Sequence, residues 1–149
     1  MQDSPPVFIL ILVLTGLLGL VSTVVGIRLR PSAPSRLITL AAALPALVML
    51  ALFHSLALHM NQSLGGWPGS IGTAGFPPAL VSHADIASAY FGVLLLVCLF
   101  VWPVASALSA SIRHWRSALF HLGVFALSCS ACFASTLLAP SEFLYWWWD

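Results

Sequence analysis

Residues 7–30 read VFILILVLTGLLGLVSTVVGIRLR, an apolar run from Val7 to Ile27 that carries no charge until Arg28 and Arg30. The hydrocarbon core of a bilayer is about 30 Å thick and takes about 20 apolar residues of helix. This stretch is long enough to cross it. It also exceeds the apolar core of a secretory signal, and no cation precedes it. The cations follow it, which predicts an uncleaved first helix inserted with its N-terminus outside.

Working outward, three more stretches repeat the pattern. The predicted spans are Val7–Ile27, Leu37–His59, Ala84–Leu108 and Ala118–Ala139, with an outer loop over 60–83. No charged side chain falls within them except Asp85 at an edge. An acid or base at a helix centre costs about 2.5–3.5 kcal/mol on insertion scales, so lipid-spanning helices exclude them. Of the 149 residues, 60% are hydrophobic and 6% charged. A soluble domain is about 25% charged, so this chain lacks the polar groups to cover a water-facing surface. The expected fold is all-α: a polytopic membrane protein formed as a single four-helix transmembrane bundle.

Orientation is read from the arginines. There is no lysine; Arg28, Arg30 and Arg36 flank the first connection, and Arg113 and Arg116 the third. By the positive-inside rule those connections are cytoplasmic, and both termini are non-cytoplasmic. Asp3, Asp85, Glu142 and Asp149 all fall on the opposite side. Trp115 stands among the arginines. Trp67 and Tyr145–Trp148 are expected at the outer headgroup level, where amphipathic rings settle, so the aromatic tail reads as a membrane anchor. Compactness and small size suggest a bacterial inner (plasma) membrane.

Hydrophobicity cannot draw helices together in lipid; close approach at small residues does. Ala126, Ser130 and Ala134 recur every fourth residue, flanked by Ala131 and Ser135. Thr15, Gly19 and Thr23, with Ser22 and Gly26, offer a matching stripe on the first span, and Ser88 and Gly92 a shorter one on the third. Short connections predict antiparallel hairpins from spans one and two and from spans three and four. The same stripes serve equally for self-association or for other membrane subunits. Pro45 removes a backbone donor inside the second span and predicts a kink; Pro103 does so near the inner end of the third.

The outer connection, 61–82, has five glycines, three prolines and no charge. Its turn signals are Gly65-Gly66 and Trp67-Pro68-Gly69. Pro77 and Pro78 suit the first turn of a helix leading into span three. Trp67, Ile71 and Phe76 are expected to cap the bundle.

Few residues offer chemistry. Cys129 and Cys132 lie one helical turn apart, the spacing of a dithiol, but in an apolar setting that blunts reactivity; packing is the plainer reading, for Cys98 also. His54 lies about 25 Å along the second span and His121 about 5 Å along the fourth, at 1.5 Å per residue. The two cannot share a haem iron. His114 stands between cations and reads as an interface residue. His54, His59, His83 and Asp85 approach the same outer level. However, His54 and His59 are separated by about 140° around a helix, and His83 and Asp85 point to different sides. A site would therefore take one residue from each pair, such as His54 with Asp85. No phosphate loop, nucleophile–base set or nucleotide fingerprint is present, and a net charge of +1 attracts no nucleic acid.

The sequence therefore predicts a protein with no catalytic set, no cofactor and no metal, whose partners are lipid and other membrane subunits. The alternative is a small membrane enzyme or carrier using His54, His83 and Asp85 on the outer side, or the Cys129/Cys132 pair.

Overall fold

The computed structural model describes residues 6–29, 35–69 and 72–148. Among the described residues six α-helices follow in order: α1 (Pro6–Leu29), α2 (Arg36–Leu64), α3 (Pro78–Leu96), α4 (Trp102–Ser111), α5 (Ala118–Thr136) and α6 (Ser141–Trp148). A π-helical turn, Val97–Val101, joins α3 to α4, so the two form one rod, Pro78–Ser111, of 34 residues. A helical rod of that length, with Phe8–Leu29, Arg36–Leu64 and Ala118–Thr136, makes four helices long and apolar enough to cross a membrane. The chain is an all-α, polytopic membrane protein.

α5 is the central helix. Its apolar window is 39% buried, against 17% for each of the other three, and it packs on α1, α2 and α4. The principal neighbour of α1 is α5, not α2, so the expected hairpin of the first two spans gives way to a pairing of first with last. Small residues explain that choice. A Cβ on Gly19 would stand 2.9 Å from that of Ala126, and one on Gly123 would stand 2.5 Å from the backbone nitrogen of Thr23. One on Gly26 would collide with the backbone of Phe120. Gly16 faces Ser130 across the same seam, where the Ser130 hydroxyl reaches the Leu12 carbonyl at 3.5 Å. Three other expected positions do not contribute. Ala131 and Ala134 are exposed, and Gly92 has open space where a side chain would project.

The arginines gather at one end of the bundle. Gly26 of α1 meets Phe120 of α5, and Thr39 of α2 lies 3.4 Å from His121 Nδ1 of α5. Arg28, Arg36, Arg113 and Arg116 therefore share that end; Arg30, Asp3 and Asp149 lie outside the described residues.

The opposite end is stepped. α2 continues eleven residues beyond Phe53 and α3 begins thirteen before Phe91, an overhang of about 16–20 Å at 1.5 Å per residue. α5 stops at Thr136, three residues after Phe133. α6 occupies the shelf this leaves. Phe143 is fully buried, with Phe53 at 5.2 Å and Trp67 at 6.0 Å between ring centres. Trp148 meets Phe8 at 4.7 Å, and Trp147 meets Phe91 at 5.6 Å. The Trp146 indole donates a hydrogen bond of 2.8 Å to the Gly72 carbonyl, tying α6 to the α2–α3 connection. The aromatic tail thus turns into the bundle; Tyr145, at 47% exposure, alone keeps its ring largely outside. Trp67 and Phe76 pack on the same cluster as expected of a cap, and Ile71 falls outside the described residues.

The two prolines behave differently. α2 runs unbroken through Pro45, whose carbonyl accepts a 3.1 Å hydrogen bond from Tyr90 of α3. Ahead of Pro103 the rod widens into its π turn, with the Trp102 amide bonding back to the Val97 carbonyl. A proline ring clashes with the carbonyl four residues earlier, and a wider turn relieves that crowding.

Candidate functional site

His59 stands five residues before the end of α2 at Leu64, and His83 five after the start of α3 at Pro78. Antiparallel neighbours with equal offsets from one connection meet at equal depth, and the rings do meet. Their Nδ1 atoms are 3.1 Å apart, with ring centres at 5.4 Å and planes inclined by 37°. The centres are further apart than the nitrogens by about two ring radii, so the imidazoles face each other head-on. Both rings are half-buried.

Hydrogen-bond counting gives one consistent placement of the protons. The Ser55 hydroxyl donates to the Leu52 carbonyl at 3.1 Å. Its single hydrogen is thereby used, so the oxygen accepts from His83 Nε2–H at 3.2 Å. Neutral imidazole carries one N–H and one bare nitrogen. His83 Nδ1 is therefore bare and accepts from His59 Nδ1–H, and the remaining bare nitrogen of the chain is His59 Nε2.

The other predicted residues lie apart from this pair. His54 is exposed on another face of α2, in keeping with its angular offset from His59. Its Nδ1 donates to the Leu50 carbonyl at 2.9 Å. With Leu47, Leu50, Ala51 and Ser135, His54 lines an open groove of about 370 Å³ between α2 and α5. Asp85 is exposed on a different side of α3 from His83. Among the described residues His54, His83 and Asp85 do not converge as a three-residue metal cluster.

Cys98, Cys129 and Cys132 are all buried and unpaired as disulfides. Cys98 on the π turn and Cys129 on α5 interact thiol to thiol. The Ser135 and Thr136 hydroxyls of α5 donate to its own carbonyls at Cys132 and Phe133. Among the described residues no group of three or more His, Cys, Asp or Glu side chains converges as a metal cage.

The sequence reading puts His59 and His83 at one level and admits one residue from each pair, but takes His54 with Asp85 as its example, since it ends span two at His59 and begins span three at Ala84. Helix ends placed at Leu64 and Pro78 would have matched the two offsets. Comparison with protein-family models, with curated proteins and with solved structures finds no match to this chain.

Proposed function

We propose that the protein is a non-catalytic component of a bacterial inner membrane, acting through its lipid-facing surface on another membrane subunit. In this reading the arginine end is cytoplasmic, and both termini and the α2–α3 connection face the other side. The supporting observation is the divided use of α5. Gly123, Ala126 and Ser130 are consumed by α1, whereas Ala131 and Ala134 remain exposed. Beside these lies the groove lined by Leu47, Ala51 and His54. Small side chains let a second helix backbone approach closely, and an interhelical hydrogen bond in lipid is worth about 0.6 kcal/mol on average. His54 can supply one: with Nδ1 committed to Leu50, its Nε2 is a bare acceptor.

An enzyme or carrier reading draws less support: His54 and Asp85 are exposed while His83 is paired with His59, and Cys98, Cys129 and Cys132 are buried.

Photo-crosslinking in native membranes tests the proposal. A photoreactive residue at Ala131 or Ala134 is expected to yield a discrete protein adduct. Adducts to lipid alone from both positions would overturn the subunit reading.

A further inference from the structure

We propose that His59 and His83 together bind a divalent transition-metal ion of the zinc class, holding α2 and α3 together beside their connection. The bite fits. Two imidazole nitrogens bound to one tetrahedral ion at about 2.0–2.1 Å stand about 3.3 Å apart, and these stand 3.1 Å apart. The second shell fits as well. A metal-bound histidine characteristically donates its other N–H to a fixed acceptor, which sets the tautomer. Ser55 accepts from His83 Nε2 and so leaves Nδ1 bare and aimed at His59.

Loading the ion requires one rearrangement. The proton between the rings leaves His59 Nδ1 and a proton is taken up at His59 Nε2, so both rings stay neutral and both Nδ1 lone pairs turn to the ion. Because the rings face each other head-on, each must also turn by about 40° so that its Nδ1 lone pair points at an ion lying off the line between them. Among the described residues no third His, Cys, Asp or Glu side chain joins them, so water completes the coordination. Imidazole nitrogen selects zinc, copper or nickel over magnesium or calcium.

The place is accessible to ions. α2 has 29 residues, about 43 Å of helix, and exceeds a hydrocarbon core of about 30 Å. Measured from Arg36, His59 falls in the excess, at headgroup level.

The test is Zn²⁺ titration of the detergent-solubilised full chain without a histidine tag, read by calorimetry and by melting temperature. A single Zn²⁺ per chain is expected to bind and to raise the melting temperature. His59→Ala and His83→Ala should each weaken binding at least tenfold, and His114→Ala should leave it unchanged. Ser55→Ala should weaken it about tenfold, with Ser55→Thr restoring it. Should a histidine variant fail to fold, diethyl pyrocarbonate labelling of the unsubstituted protein decides: Zn²⁺ must protect His59 and His83 from modification. No binding up to about 1 mM, unchanged affinity in both histidine variants, or no protection would overturn the site.

Discussion

Gly123 sets how near α1 can come to α5. A methyl there would stand 2.8 Å from the Gly19 carbonyl oxygen and 2.5 Å from the Thr23 nitrogen. Both are backbone atoms, which cannot swing aside as a side chain can. Overpacking of this kind costs about 1–3 kcal/mol, so Gly123→Ala should lower stability by that amount in detergent unfolding. Gly92→Ala is the matched control: beyond its own helix backbone no atom lies within 4 Å of the added carbon, and little change is expected. If both substitutions prove equally harmful, the α1–α5 seam is not where the structure puts it. Trp102 bears on a different interaction. Its indole N–H donates to the Leu122 carbonyl at 2.8 Å, joining α4 to α5. Trp102→Phe keeps most of the ring and removes that bond. Polar links between membrane helices average about 0.6 kcal/mol, so the loss should be small beside that of Gly123→Ala; a cost several times larger would mean that ring volume, not hydrogen bonding, is what Trp102 provides.

Among the elements, α6 carries the clearest lesson about what patterning reveals. The long spans were legible because lipid imposes a length and excludes charge over every turn, a constraint written on some twenty consecutive residues at a time. The eight residues of α6 are too few to cross, and a tryptophan-rich end is equally suited to a headgroup interface. What decides its place is the shelf made by the unequal ends of α2, α3 and α5, a three-dimensional feature that no single segment encodes. The site suffered from the same cause: His59 and His83 meet only because two helices overrun the spans that hydropathy defines. The small-residue stripes were half legible. Spacing marked Gly19, Thr23 and Ala126, but it could not say which face of α5 goes to α1 and which to lipid. The docking of α6 is open to test. Phe143 is completely buried among aromatic rings, whereas Tyr145 is 47% exposed. Loss of a buried Phe side chain costs about 3–5 kcal/mol. That exceeds what a short helix can hold, so Phe143→Ala should undock α6 while the four spans persist. Tryptophan emission should then shift to the red with little change in helical content, and Tyr145→Ala should do neither. Unshifted emission from Phe143→Ala would place the tail outside the aromatic cluster.

At the scale of the molecule, the bundle is polar in the sense of direction. One end gathers Arg28, Arg36, Arg113 and Arg116; the other holds the aromatic shelf, the histidine pair and a connection without a charge. The packing of α1 and α2 on the start of α5 makes the arginine clustering a property of the fold and not only of the sequence. The positive-inside rule proposes that a bundle so divided inserts with its cations in the cytoplasm; zinc or a partner's extramembrane segment would then come from the other side. Labelling with a membrane-impermeant maleimide tests it directly. The native thiols give little background, because Cys98, Cys129 and Cys132 are at most 4% exposed. A cysteine at the exposed positions Ser63 or Gly69 should be modified in intact spheroplasts. One at Ser111 or Ser117, exposed at the arginine end, should react only after the membrane is permeabilised. The reverse pattern would invert the protein and put the histidine pair on the cytoplasmic face. Reaction at all four positions in sealed cells would mean that the two ends do not lie across a bilayer from each other.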